Sequence, residues 1–420
     1  MKTADPAATP ETACAAEIDA VRMLAEFDSP RAWRMVMMAF AAMFTVYGVA
    51  YSFGAFFKPM AAEFGADRSR TSVVFSLTVF IWSVLGWPAG HLSDRLGPRA
   101  VLAAGALLMG TGLVLTAYID RLWIGYLTYS VGVGIGIATA YVPMVAVVGG
   151  WFLRRRNTAL GIAVAGIGCG TVLVAPLSAA MIQLIGWRDT YVALGAASTV
   201  VLLACAALVE RPPVHVIPSA IDVRAAVRTP AFRLLYLNSF LSSMALFVPF
   251  VYLPAFAHDH GASEIASAAL ISIIGGASVA GRLGLGAIAD RMSTIRLYQA
   301  CYLLLAASFA LWLAGGSYLS MVVFAIAMGA GYGGFVALSP AVLAELFGVA
   351  RLGTVMGILY TSGGVGALLG PPVAGLIIDY TGSYRWAIAY SLVGALASFA
   401  ILIPLTRYSE RSPQGESAMP

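Results

Sequence analysis

Long uninterrupted apolar runs constrain this chain more than any other feature. A helix needs about 20 mostly apolar residues to cross a bilayer, and twelve such runs stand in the 420-residue sequence. Six lie in the first half, at 35–57, 71–90, 101–119, 122–148, 159–185 and 191–209. Six lie in the second, at 232–257, 265–289, 297–314, 319–343, 353–378 and 386–406. They are too long for strands and do not alternate. In hydrocarbon, backbone N–H and C=O groups must be satisfied within the segment, so each run is expected to be a helix. The expected fold is an all-α integral membrane protein with twelve transmembrane helices in a lipid bilayer. Composition agrees: 60% of residues are hydrophobic and 11% charged, against about 45–50% and about 25% in soluble domains. A cytosolic enzyme, a secreted disulfide scaffold, a disordered chain and a nucleic-acid binder are thereby excluded. Cys14, Cys169, Cys205 and Cys301 form no C-x-x-C pair, so neither a metal site nor a disulfide framework is expected. Nothing in the sequence calls for a cofactor.

The basic residues orient the runs. With both termini placed in the cytoplasm, inner segments hold 18 Lys or Arg and outer loops hold 6, the asymmetry of the positive-inside rule. The formal net charge of +5 then reports topology rather than nucleic-acid binding. The chain divides into a cytoplasmic tail (1–34), a first six-helix bundle (35–209), a cytoplasmic linker (210–231), a second bundle (232–406) and a short cytoplasmic tail (407–420). Residues 1–34 lack a basic segment followed by an apolar core, so no cleavable leader is expected. Residues 17–27 have the spacing of a short amphipathic turn, although a loosely ordered tail is the simpler expectation. A cell membrane is the expected location, that of a bacterial inner membrane.

A shift of 196 residues superimposes landmarks of the two halves. Gly90 meets Gly286, Asp94 meets Asp290 and Arg95 meets Arg291. Arg155 meets Arg351, Thr158 meets Thr354 and Gly161 meets Gly357. Gly170 meets Gly366, Pro176 meets Pro372 and Gly186 meets Gly382. Two sets of six helices in the same orientation form a parallel repeat about an axis along the membrane normal, the architecture of major facilitator transporters.

The loop after the second run reads Gly90-His-Leu-Ser-Asp94-Arg95-Leu-Gly97-Pro-Arg99, and a shorter copy, Gly286-Ala-Ile-Ala-Asp290-Arg291, follows the eighth. It resembles the loop signature of the major facilitator superfamily. A carboxylate there can accept N–H groups at a helix N-terminus and pair with arginine. Asp94, Arg95, Arg99, Asp290, Arg291 and Arg155 are therefore expected to latch the cytoplasmic gate. The fifth run opens Trp151-Phe152-Leu-Arg154-Arg155-Arg156-Asn-Thr-Ala159-Leu-Gly161-Ile-Ala163-Val-Ala165-Gly166. This resembles the monocarboxylate transporter family of that superfamily. Its other signature, before the first run, survives here as Asp28 and Trp33 without the intervening glycines. Arg228-Thr-Pro-Ala-Phe232 is similar to bacterial members, oxalate/formate exchangers among them. The resemblance covers nearly the whole chain and implies two six-helix bundles of the major facilitator fold. It also implies a transporter, not an enzyme, that works as a monomer on small carboxylates, by proton symport in much of the family.

One base fits no topological role. Arg282 stands inside the eighth run, where a guanidinium costs about 2.5–3.5 kcal/mol on insertion scales. Every acid and histidine of the chain lies at a run's end or outside the runs. A substrate carboxylate is the expected counter-ion, held by bidentate hydrogen bonds; the alternative reading is an arginine bonded to backbone carbonyls. Animal members of the family have an aspartate four residues earlier, where this chain has Ser278, and a lysine in the first run, aligned here with Tyr51. Two-headed acids in this group meet a second base in the eleventh run; the stretch 359–364 has none, which favours a single carboxylate. Tyr51, Tyr141, Asn238, Tyr332, Phe335 and Tyr360 are further expected to line the site, each with packing as the alternative reading. Proton symport, exchange and uniport stay open at this point, as does a carboxylate sensor on a transporter fold.

Overall fold

The computed structural model describes residues 27–213, 227–289, 293–347 and 352–406, and these are helical almost throughout. Helices α1 (Pro30–Tyr51) and α2 (Phe53–Phe64) form the first crossing, with a break at Ser52. Then come α3 (Arg68–Leu96), α4 (Pro98–Ala117), α5 (Leu122–Trp151) and α6 (Arg156–Leu208). The second half repeats the plan: α7 (Pro230–Leu246) and α8 (Val248–Asp259) are one crossing broken at Phe247. It continues with α9 (Glu264–Ala289), α10 (Thr294–Ala314), α11 (Tyr318–Phe347), α12 (Leu352–Thr381) and α13 (Tyr384–Leu402).

Eleven helical segments are long and apolar enough to cross a membrane, among the described residues. One of them, Thr158–Leu208, has 51 residues, or about 75 Å at 1.5 Å per residue, more than twice the hydrocarbon thickness. It reverses at Gly186, whose φ is 82° and ψ 164°. Its two ends meet on one face: Trp151, just before α6, donates its indole N–H to the carbonyl of Glu210, just after it, at 3.4 Å. The segment therefore supplies two crossings, which brings the described residues to twelve.

We call the face where α1 begins and α13 ends the near face, and the opposite one the far face. Turns at the far face repeat with the 196-residue offset. Gly65 (φ 56°) and Gly261 (φ 90°) follow the first and seventh crossings, and Gly186 (φ 82°) and Gly382 (φ 66°) follow the fifth and eleventh. A positive φ is open to glycine and strained for most residues with a Cβ. The Gly186–Gly382 match in sequence is thus a shared backbone requirement, and the Gly65–Gly261 pair is a second one.

Within each half the helices pack through buried apolar side chains. Between halves the main contacts are α3 on α12 and α6 on α9. The α6–α9 approach is close because both helices present glycine. A Cβ on Gly275 would stand 2.8 Å from Thr171 Cβ and 3.0 Å from the Gly168 carbonyl. Arg282 lies two turns along α9 from that contact.

Candidate functional site

Arg282 reaches out of α9 toward the other half. Its Nη1 donates to the backbone carbonyl of Val164 in α6 at 3.0 Å. The ring of Tyr332, on α11, lies under the guanidinium with its centroid 5.7 Å from Cζ. Nε and Nη2, which form the other edge of the fork, are buried and make no hydrogen bond. A buried, unpaired N–H of a charged group is expensive, roughly 1–3 kcal/mol or more. Two of them side by side on one planar edge have the geometry that accepts a carboxylate in a bidentate pair.

Aromatic side chains from both halves gather near the guanidinium. The hydroxyls of Tyr51 (α1) and Tyr332 meet across the halves at 3.1 Å. Phe250 of α8 stacks on Tyr51 with centroids 4.4 Å apart. Tyr47 packs edge-on against Tyr141 of α5 at 5.9 Å and against Trp82 of α3 at 5.7 Å. Tyr141 and Tyr360, on α5 and α12, lie within interaction range of one another across the halves. Tyr47, Tyr51 and Tyr141 are all near enough to feel the charge of Arg282. The wall is therefore mostly aromatic, with its polar atoms at the tyrosine hydroxyls and the Trp82 indole N–H, as small-molecule sites tend to be.

The structure gathers five of the residues read as lining: Tyr51, Tyr141, Tyr332, Tyr360 and, beside Tyr332 at 5.7 Å, Phe335. Phe335 also stacks on Tyr302 of α10 at 4.8 Å. Ser278 is buried against Gly333 of α11, its hydroxyl without a hydrogen-bond partner. Asn238 lies elsewhere: it is fully buried and donates to the carbonyl of Ser398 in α13 at 3.0 Å. The Val164 carbonyl, Trp82 and Phe250 escaped the sequence. The Val164 carbonyl is backbone and leaves no mark on residue type. Trp82 and Phe250 sit in helices apolar on all sides, which leave no mark of the face that meets the site; their ring contacts with Tyr47 and Tyr51 place them.

At the near face, Asp94 and Arg95 are exposed. The Arg95 carbonyl accepts from Arg211 Nη2 at 3.3 Å, and Arg99 Nε donates to the Val209 carbonyl at 2.6 Å. Arg155 donates its backbone N–H to Asp28 at 3.1 Å. Asp290 and Arg291 lie outside the described residues. At the far face the halves are tied by side chains. Asp259 of α8 pairs with Lys58 of α2, and with Arg68 of α3 at 3.8 Å. Asp379 of α12 accepts the backbone N–H groups of Arg68 and Ser69 at 3.3 and 3.0 Å. Tyr252 of α8 donates within reach of the Arg68 and Pro371 carbonyls, at 3.2 and 3.0 Å. The seam between halves is thus sealed at the far face, below the Arg282 site. Among the described residues no cluster of His, Cys, Asp and Glu is placed to hold a metal ion.

Residues 38–317 and 295–419 match the sequence profile of the Major Facilitator Superfamily. The chain is 30% identical to monocarboxylate transporter 13 of Rattus norvegicus over 390 residues, covering 90% of this chain and 89% of that one. It is 30% identical to monocarboxylate transporter 3 of Rattus norvegicus over 415 residues, with 92% and 83% covered. Among solved structures, it is similar to a bacterial homolog of the human lysosomal transporter Spinster, inward-facing and unoccupied. The TM-score is 0.74 and the identity 16%, with 92% of this chain and 100% of that chain covered. The occupied inward-facing form of that homolog gives a TM-score of 0.71 at 15% identity.

Proposed function

This chain belongs to the major facilitator superfamily and, within it, to the monocarboxylate transporter family, and from that premise we propose that it moves a small monocarboxylate by alternating access. The observation that carries the proposal is the free Nε/Nη2 edge of Arg282, buried between the halves. A substrate carboxylate there satisfies both N–H groups and neutralises the charge. The Arg282–Val164 hydrogen bond ties the same guanidinium to the other half, so occupancy of the site and the relation of the halves are linked at one side chain. With the site neutral, rocking about the α6–α9 contact carries no net buried charge. No second base stands beside the aromatic wall among the described residues, which suits a single carboxylate. The latch residues Asp94, Arg95 and Arg99 are proposed to engage when the near face closes, and both termini are proposed to lie in the cytoplasm of a bacterial cell.

A proton is the proposed coupling ion. The test is uptake of radiolabelled mono- and dicarboxylates into proteoliposomes, with and without an inward proton gradient, for the native protein and Arg282→Ala. Expected are uptake of a monocarboxylate, stimulation by the gradient and loss in Arg282→Ala. Normal uptake by Arg282→Ala overturns the site; indifference to the gradient overturns the coupling; binding without flux makes the protein a sensor.

A further inference from the structure

The charged cluster that seals the far face contains an imidazole used in an unusual way. Lys58 Nζ sits 2.9 Å from His258 Nδ1. An ammonium has donors only, so His258 is the acceptor, through a lone pair that exists only on the neutral ring. Lys58 also pairs with Asp259, the next residue. Asp259 Oδ1 is itself 4.0 Å from His258 Nδ1. Lys58 belongs to the first half, and His258 and Asp259 to the second. One ammonium therefore crosses the seam to two acceptors on α8.

We propose that this cluster is an acid-released lock, in which protonation of His258 loosens the far face and lets the seam open there. This rests on the reading that the halves rock to expose the Arg282 site. A proton on Nδ1 removes the acceptor that Lys58 uses. It also places a second cation at contact distance from Lys58. The new imidazolium competes for Asp259 from within the same helix, so the carboxylate exchanges a partner across the seam for one in its own half. Of the groups around the cluster, Arg68 keeps its own pair with Asp259 across the seam, so protonation loosens the lock rather than undoing it. Arg68 of α3, 3.8 Å from Asp259, adds another positive charge. Tyr384 of α13 donates to Asp259 at 2.8 Å from the same half. Asp379 of α12 is occupied by the backbone N–H groups of Arg68 and Ser69. His260 turns back to the Phe256 carbonyl at 2.8 Å, and Glu264 of α9 accepts from Gln183 at 3.1 Å. The side chains of Lys58 and His258 are 36% and 43% exposed, so protons reach them without any opening. Histidine is the side chain whose charge ordinarily changes between about pH 5 and 8.

The lock is tested by a distance across the far face. The full chain, with its native cysteines replaced, carries spin labels at Asp120→Cys in the first half and Ser317→Cys in the second. Double electron–electron resonance is recorded in nanodiscs without substrate, at about pH 7.5 and about pH 5.5. Acidification is expected to raise the long-distance population roughly threefold, the scale of one exposed charge pair. His258→Gln keeps a neutral acceptor for Lys58 and is expected to hold the short distance at both pH values. Lys58→Gln removes the repelling cation and is expected to blunt the response. An unchanged pH response in His258→Gln, or no response in the native protein, overturns the proposal. The distance is read without substrate, so a failed carboxylate uptake assay and a failed lock are separate results.

Discussion

Asp28 and Asp379 do the same local chemistry at opposite faces, to different ends. Each carboxylate accepts backbone N–H groups at the start of a helix. Asp28 takes those of Leu153, Arg154 and Arg155, at 3.4, 3.2 and 3.1 Å, ahead of α6. Asp379 takes those of Arg68 and Ser69 at the start of α3. Asp28 and α6 belong to one half, whereas Asp379 and α3 belong to different halves. The neighbours follow suit. Near Asp28, Trp33 packs edge-on against Phe152 at 5.2 Å and Arg34 pairs with Glu210 at 4.0 Å, both within the first half. Near Asp379, the pairs made by Arg68 and Lys58 cross the seam. The contrast assigns two jobs. On the proposed function, near-face capping holds the first half together, and far-face capping holds the two halves together in the arrangement seen here. A transporter that rocks needs the first kind of contact to persist and the second to break.

Substitutions can break that contrast at several strengths. The largest effect is expected at the pivot. Gly275→Leu puts a branched side chain where a Cβ already meets Thr171 and Gly168, and overpacking of this kind costs about 1–3 kcal/mol. Monocarboxylate uptake in proteoliposomes is expected to fall at least about tenfold, while size-exclusion elution stays that of the native protein. Next is Asp379→Asn, which keeps an acceptor and removes its charge. It is expected to raise thiol labelling of a far-face cysteine in the seam by roughly threefold to fivefold, the effect of about 1 kcal/mol. Asp28→Ala is expected to cost about 1 kcal/mol of stability, as loss of an N-cap does, read by thermal unfolding in detergent. It should leave far-face labelling unchanged. If Asp28→Ala opens the far face as Asp379→Asn does, the two faces do not have separate jobs.

Acid provides the smallest and most graded test. Slight burial works to raise the Asp28 carboxyl, but the N–H groups of Arg154, Arg155 and Leu153, with the charge of Arg155, hold it below the ordinary aspartate range. A carboxyl lowered on folding contributes stability above its unfolded value, near pH 3.9, and loses that contribution as pH falls through the folded value. The native protein is therefore expected to lose more thermal stability than Asp28→Asn between about pH 5 and pH 3. Equal losses in the two proteins would remove the carboxylate from the account of the near face.

Much of this was legible in the sequence, and the rest was hidden for identifiable reasons. The crossings were readable because hydrocarbon demands long apolar runs, and the two-half plan because residues repeat at a fixed offset. The break at Ser52 was not, because serine does not signal a break and Pro59 lies inside the next helix; the break at Phe247 did leave a mark, Pro249 in the first turn of α8, but a run read for apolar length alone passes over it. Arg282 stood out as a charge within an apolar run. Asn238 was read as lining and is bonded to Ser398 instead, because helices apolar on all sides do not reveal which face meets the pore. The far-face lock was invisible for a different reason. Lys58, Arg68, His258, Asp259 and Asp379 each sit at a span's end, where a charged residue already has a topological explanation, and only the tertiary fold brings them together. The reading of residues 17–27 as an amphipathic turn falls, but for Phe27, outside the described residues.

The central claim is that the free edge of Arg282 is where the carboxylate binds. Equilibrium binding of a labelled monocarboxylate to the purified native protein and to Arg282→Gln tests it most directly. Charge-assisted hydrogen bonds are worth about 1.5–3 kcal/mol each, so affinity is expected to fall by roughly a hundredfold or more in Arg282→Gln. Binding within about twofold of the native protein, by an Arg282→Gln sample that elutes and unfolds normally, would contradict the account.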